Sequence, residues 1–450
     1  MKMFFAKSPE LFDRFDPKYV AFKRRAASFR YPAVTMGSLL SEPPEYGAGE
    51  AGVERENDAT PRYIRITDID ENGELLPGLG MTAAKVESQY LLRDGDLLFA
   101  RSGNTVGKCY LHDSGRVDYP CFYAGYMIRF RFAEKVLPKY VFAFAQTPYY
   151  REWVSAIQRS AGQPNINAQE YRSLELPLPP LSEQRKIVAE LDAAYAAKRA
   201  ADEKTTKLLA SIDDMVLNEL GIAKLPKPDT SLSSRMFTVP ASKVANATFA
   251  PDHYFDMIDF SKSKYPCERF VEHIDIDPPC GNVKITKLVP MEGVSAEWCA
   301  IENVEDIAAD STPGYSTFRG GDVIWARITP CMENGKSAVV EAEPSECFYG
   351  STEFLVFRPK DDGVNPYYLQ NLLHLKRFRE VAAHHFTGTS GHQRVTADFF
   401  KSISIPIPPR SVQDRIASKA SSIRAEARKL KADATAALDA AKRKIEEKLI

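Results

Sequence analysis

Two long stretches of this chain carry apolar residues at helical spacing. From Ser182 onward, Ile187, Val188, Leu191, Ala194, Tyr195, Ala201, Leu208, Leu209, Ile212, Met215, Val216 and Leu220 recur at helical spacing. Ser182 is placed to cap that helix, and Gly221 to stop it. Its length is roughly 55 Å at 1.5 Å per residue. A second stripe runs from about Ser411 to Leu449 through Ile416, Ile423, Ala427, Leu430, Ala434, Leu438, Ala441 and Ile445. Lys198 and Thr205 thin the first stripe, and the second is Ala-rich and narrow. Helices this long with seams this thin need a partner, and the simplest partner for each is the other. Antiparallel pairing would return the second helix to the region where the first began.

Between the stripes the pattern changes to short alternating runs. Tyr63–Ile69 and Tyr126–Phe132 alternate and read as strands, and Leu97–Ala100 is a buried strand entered from the Asp94-Gly95-Asp96 turn. Ser102-Gly103-Asn104 is a second turn, and Pro138 opens an aromatic helix through about Ile157. Leu176-Pro177-Leu178-Pro179-Pro180 is extended, because each proline pushes its predecessor out of the helical region.

These elements occur twice. Leu176-Pro177-Leu178-Pro179-Pro180-Leu181-Ser182-Glu183-Gln184 returns about 230 residues later as Ile405-Pro406-Ile407-Pro408-Pro409-Arg410-Ser411-Val412-Gln413. Upstream, Gly162–Asn167 matches Gly391–Thr396, and Pro138–Phe142 matches Pro366–Gln370. Cys121-Phe122-Tyr123 matches Cys347-Phe348-Tyr349, and Gly95–Arg101 matches Gly321–Arg327. Asp16–Tyr19 and Ala250–Tyr254 sit near the two starts. A unit this long is a duplicated domain plus helix, not a solenoid repeat. The expected fold is α+β: two similar mixed α/β domains joined by two long helices, forming an antiparallel coiled-coil-like spacer with a pseudo-two-fold. The boundaries read 1–180 and 222–409 for the domains, and 181–221 and 410–450 for the helices.

The chain has 450 residues, which implies more than one core. No apolar run reaches the roughly 20 residues of a membrane span, so no membrane association is expected. Seven cysteines without a Cys-x-x-Cys pair read as reduced cytoplasmic thiols, and neither a zinc site nor a disulfide frame is expected. A formal charge of −1 means that any nucleic-acid site must be local.

Catalytic motifs fail on their spacing. Gly103–Cys109 has its glycines one residue too close for a phosphate loop and lacks a Ser or Thr after Lys108. Asp277-Pro278-Pro279-Cys280 lacks the aromatic that stacks a flipped base, and Asn365-Pro366-Tyr367-Tyr368 lacks a proline. Both read as turns. His374, His384, His385 and His392 have no metal-ligand spacing, and the pairs Asp68/Asp70, Asp275/Asp277 and Asp361/Asp362 read as solvated loops. No catalytic residue, metal or cofactor is expected.

Binding remains. Arg, Asn, Gln and Ser/Thr side chains can make contacts to base edges in the major groove. The first copy offers Arg65, Thr67, Arg101, Ser102, Asn104, Lys108, Gln163, Asn165 and Asn167. The second offers Arg327, Thr329, Asn334, Lys336, Thr389, His392, Gln393 and Arg394. The aromatic residues read as core rather than as stacking platforms.

Pro177–Val188 closely resembles the segment that opens the spacer helix in specificity subunits of type I restriction-modification systems. Tyr63–Ile69, Asp96–Lys108 and Gly162–Asn167 resemble elements of their target-recognition domains, and the domain–helix–domain–helix order is similar over nearly the whole chain. The second copy departs where Arg410 replaces Leu and Val412 replaces Glu. The resemblance implies a non-catalytic protein in which each domain reads one half of a split site on double-stranded DNA. Half-sites about one helical turn apart, roughly 34 Å, suit such a pair. The helices would set the gap and dock two adenine-N6 methyltransferase subunits, joined by endonuclease/translocase subunits. The alternatives are a divergent adenine methyltransferase built on Asp277–Cys280 and a helical scaffold that binds no DNA.

Overall fold

The computed structural model describes residues 17–25, 29–158, 164–225, 227, 229, 231, 233, 236–241, 258–281, 284–308, 314–389 and 392–450. The start motif Ala250–Tyr254 and Asp16 of the first therefore lie outside the described residues, while Pro17–Tyr19 open the helix Pro17–Arg25. The chain divides into two compact units, Met1–Ala200 with Asp433–Ile450, and Ala201–Ala432. Both 40-residue helices, Leu181–Leu220 and Arg410–Leu449, contribute to both units.

Among the described residues, each unit holds two four-stranded sheets. In the first unit, one sheet orders Glu45–Tyr46, Met127–Phe130, Leu97–Ala100 and Cys109–Leu111, all antiparallel. Its counterpart in the second unit orders Ile274–Ile276, Phe354–Pro359, Val323–Ala326 and Ser337–Val339. The other sheet of each unit is built on a parallel pair, Arg62–Ile64 with Cys121–Tyr123 and Lys287–Val289 with Cys347–Gly350. Its outer strands differ between the units, so the duplicated frame is tightest around the all-antiparallel sheet.

The predicted run Tyr63–Ile69 is only half strand. Arg62–Ile64 pairs in the sheet, and then Ile66–Asp68 turns as a 3-10 helix because the Asp68 carboxylate accepts the Arg65 N–H at 2.9 Å. The predicted Pro138–Ile157 helix is two helices, Pro138–Phe144 and Pro148–Ile157. Pro148 lacks an N–H and its ring blocks a continuous helix, so it opens a new one behind Thr147, whose Oγ1 accepts from Tyr150 N.

The Pro-Pro phrase has the same architecture in both units. Glu175–Pro177 pairs antiparallel with Ala33–Thr35, and Ser404–Pro406 with Cys267–Arg269. The Tyr140 hydroxyl donates to Pro177 O, and the Tyr368 hydroxyl to Pro406 O. The helix starts at Leu181, not behind Ser182. Pro180 O already accepts Glu183 N at 2.9 Å and Gln184 N at 3.0 Å, which leaves Ser182 exposed in the first turn. Gln184 is fully buried, accepts Leu137 N at 2.9 Å and donates to Pro179 O at 2.9 Å. Gln413, equally buried, accepts Asn365 N and donates to Gly363 O and Pro408 O, each at 2.8 Å. The glutamine ties each long helix to the helix that starts at Pro138 or Pro366.

Within each unit the two long helices run antiparallel. In the first, Lys448 contacts Glu190 while Lys442 lies 5.8 Å from the Tyr195 ring centroid. In the second, Thr205 faces Ala427 while Arg415 and Lys419 hold Glu219. The thin seams suffice because they end in globular cores. Ile187, Leu191, Tyr195, Leu438, Ile445 and Leu449 join Phe99, Phe130 and Trp153. Ile212, Val216, Leu220, Val412 and Ile416 join Trp325, Phe357 and Phe400. Gly221 ends the first helix at φ +75°, a conformation side chains with a Cβ disfavour. Among the described residues, no helix is long and apolar enough to cross a membrane.

Candidate nucleic-acid interface

In the first unit, three segments distant in sequence cross at one point. Strand Leu97–Ala100 runs into Arg101, whose N–H donates to Tyr126 O at 2.9 Å and whose O accepts Ile166 N at 2.8 Å. Ser102 bridges Asn165, and Gly103 N donates to Pro164 O at 3.0 Å. The second unit repeats the crossing. Arg327 N donates to Glu353 O at 2.9 Å, Arg327 O accepts Val395 N at 2.9 Å, and Ile328 bridges Arg394. Thr329 N donates to Gln393 O at 3.1 Å.

A buried carboxylate braces each crossing strand. Asp96, 1% exposed, accepts Arg131 Nε at 2.6 Å and Nη2 at 3.0 Å, together with Arg93 N at 2.9 Å. Asp322, also 1% exposed, accepts Arg358 Nε and Nη2 at 2.7 Å and Arg319 N at 2.8 Å. Hydrogen bonding to Asp96 and Asp322 raises the pKa of Arg131 and of Arg358.

The predicted residues separate into those held internally and those presented. Arg65 makes a two-pronged pair with Asp68, at 3.0 Å from Nε and 2.9 Å from Nη2. Lys108 reaches Ile69 O at 3.2 Å and Glu71 at 2.7 Å, and Lys336 reaches Met291 O at 2.8 Å. Asn167 caps the helix Ala168–Arg172, accepting Glu170 N at 2.9 Å while Glu170 accepts Asn167 N. Thr67, Asn104, Asn165, Asn334, Thr389 and His392 are exposed, and Ser102, Thr329 and Gln393 are half-buried. Gln163 lies outside the described residues. The crossings gather Arg101, Ser102 and Asn165 in one unit and Arg327, Thr329, Gln393 and Arg394 in the other.

Arg101 and Arg327 occupy equivalent positions, and in both the Nε is buried with no hydrogen-bond partner among the described residues. The Arg101 guanidinium stands 4.8 Å from the Tyr46 ring centroid. Tyr126, 64% exposed at the tip between two strands, borders the same crossing. Reading for polar residues missed Tyr46, Tyr126 and Glu353. The signal for Tyr126 was its place after Gly125 between two strands, where an aromatic has no core to enter.

Among the described residues, Asp277 and Asn365 of the motifs weighed for catalysis are tied into the fold. Asp277 accepts Val356 N at 2.9 Å and returns its own N–H to Val356 O, closing a strand end. Asn365 caps the Pro366–His374 helix. Cys299 Sγ lies 3.4 Å from His374 Nδ1, but burial raises the thiol pKa. Burial and the nearby Arg379 and Arg424 lower the His374 imidazole to about 3, so neither group carries the charge of an activated cysteine nucleophile near neutral pH. Glu268, Glu272 and His273 bring ligand atoms within 4.8 Å of one another, yet Glu272 is exposed and His273 Nε2 is already 2.6 Å from Glu268.

Two stretches, 55–209 and 283–437, match the family model of the type I restriction modification DNA specificity domain. The chain is 34% identical over 139 residues to the type I restriction enzyme EcoAI specificity subunit of Escherichia coli, a stretch covering 30% of this chain and 23% of that protein. It is 33% identical over 135 residues to the EcoEI specificity subunit of Escherichia coli, covering 30% of this chain and 22% of that protein. These matches thus span less than a quarter of either relative. A solved chain from a study of complex assembly and conformational transition of the type I R-M system aligns over 92% of this chain and 99% of its own, at 17% identity and a TM-score of 0.46. With both copies matched, and the matched stretches spanning more than half of its length, the chain belongs to the type I restriction modification DNA specificity domain family.

Proposed function

We propose that this chain is the DNA-specificity subunit of a type I restriction-modification complex. The observation that carries the reading is the crossing found twice inside the family-matched stretches. One invariant backbone frame presents different polar side chains in the two units, as reading two unlike half-sites requires. Direct readout uses Arg, Asn and Gln on base edges. Arg101, Ser102, Asn104 and Asn165 would serve one half-site, and Arg327, Thr329, His392, Gln393 and Arg394 the other. The internally held Arg65, Lys108, Lys336 and Asn167 would support these loops.

The segments 1–180 and 222–409 act as target-recognition domains in this reading, and the helices within 181–221 and 410–450 as spacer. The helices dock two adenine-N6 methyltransferase subunits, and endonuclease/translocase subunits complete the complex in the cytoplasm. The chain itself catalyses nothing. Methylating a base within a duplex requires flipping it, and the partner supplies that pocket. A net charge of −1 fits this division, because the partners add phosphate contacts.

The test is modified-base sequencing of DNA from cells that express the chain with its methyltransferase partner. A methylated-adenine motif split by a fixed gap is expected. An unsplit motif, or no methylation dependent on this chain, would overturn the reading.

A further inference from the structure

Arg394 and Glu353 come from segments 41 residues apart and meet at the crossing of the second unit. Glu353 lies next to that crossing because its O accepts Arg327 N. Its carboxylate takes Arg394 Nε at 2.8 Å and Nη2 at 2.7 Å, while Arg394 Nη1 donates to His392 O at 2.9 Å. A guanidinium has five N–H donors in a rigid plane. Three are committed here, and one hydrogen remains on each of Nη1 and Nη2. Glu353 occupies the Nε–Nη2 edge, so a two-pronged contact to a ligand would be donated from the end edge with both Nη atoms. The side chain is 33% exposed.

An exposed ion pair of this kind adds little to stability. Its stronger effect is to fix the direction of the guanidinium. Two parallel N–H groups on a fixed plane match the O6 and N7 acceptors of guanine in the major groove. A carboxylate that holds an arginine rigid lowers the ordering cost of that contact. At the equivalent positions of the crossing the first unit has other residues. Asn165 stands at the bridge position of Arg394, and Tyr126 at that of Glu353.

We propose that Arg394, buttressed by Glu353, reads a guanine in the half-site of the second unit. This rests on the DNA-specificity reading above.

The full chain is expressed with its methyltransferase partner, and the motif is read by modified-base sequencing for the wild type and for Arg394→Lys, Arg394→Ala and Glu353→Ala. The wild-type motif should contain a G·C pair in one half that both Arg394 variants relax. Preference for that pair should fall roughly 5- to 150-fold, the range for loss of a two-pronged base contact. Glu353→Ala should relax the same pair to a smaller extent, and the other half should stay unchanged. Lysine keeps the charge but loses the fork, so retained discrimination in Arg394→Lys would make this a phosphate contact and overturn the proposal. Equal loss at every position, or relaxation in both halves, would also overturn it. If the wild type itself gives no split motif, the DNA-specificity reading fails, an outcome visible before any variant is compared.

Discussion

Replacing Gln413 by Glu tests what the repeated Pro-Pro-x-x-x-Gln phrase is for. The side chain is fully buried and makes three hydrogen bonds, accepting Asn365 N and donating to Gly363 O and Pro408 O. A carboxylate keeps the acceptor and turns both donors into repulsion against two carbonyl oxygens. Pro408 O is buried and Gly363 is exposed, so only the first carries the full cost of about 1–3 kcal/mol, and the variant should lose roughly 1–4 kcal/mol at neutral pH. Burial and the facing carbonyls raise the new carboxyl above its unfolded value of about 4.3. Its neutral form, which restores one donor, therefore favours the folded state. The deficit should be smallest near pH 4, should grow as pH rises through the raised folded value, and should be largest at pH 8. Thermal unfolding of Gln413→Glu against the wild type at pH 5 and pH 8 measures this. Stability within about 0.5 kcal/mol of wild type, a range usual for uninvolved surface sites, would refute the reasoning. A deficit that does not change with pH would also refute it.

Two further perturbations follow from buried groups. Asp322→Asn removes the charge that holds Arg358, whose side chain is only 13% exposed, and should cost about 3–5 kcal/mol in urea unfolding. A loss below about 1 kcal/mol, the usual worth of an exposed pair, would show that the brace is dispensable. The imidazole of His374, lowered to about 3 by burial and by Arg379 and Arg424, stays neutral in the fold while the unfolded chain takes up a proton below its ordinary pKa of about 6.5. Stability should thus fall on acidification from about pH 6.5 towards 3, by up to roughly 1.4 kcal/mol per pH unit from this group. His374→Gln should flatten that part of the profile, and an unchanged slope in a pH series of melts would exclude His374 as its source.

The long helices were legible because burial needs apolar residues every three or four positions, and Ile187, Leu191, Ile212 and Val216 all enter cores. The capping of the first was not. Ser182 has the chemistry of a cap, but Pro180 O and the buried Gln184 fix the first turn one residue earlier, through contacts to residues near position 137 that local sequence does not show. Pro148 was a visible helix breaker inside the Pro138–Ile157 expectation, and its missing N–H divides that stretch. At the candidate interface, residue type identified arginines and asparagines but not their engagements. Asn167 and Asn165 are two positions apart, yet one caps a helix and the other faces solvent.

By itself the sequence determined the duplication, the mixed domains and the paired helices, because periodicity and recurring proline and glycine turns are local constraints on the backbone. Only the tertiary structure decided which polar residues stand together. The crossing of Arg101 with Tyr126 and Asn165, and of Arg327 with Glu353 and Arg394, is made by backbone hydrogen bonds between segments that have no neighbourhood in sequence. What meets Arg394 is decided by the crossing, which brings Glu353 to it from 41 residues away. That is a property of three-dimensional packing, which residue spacing does not encode.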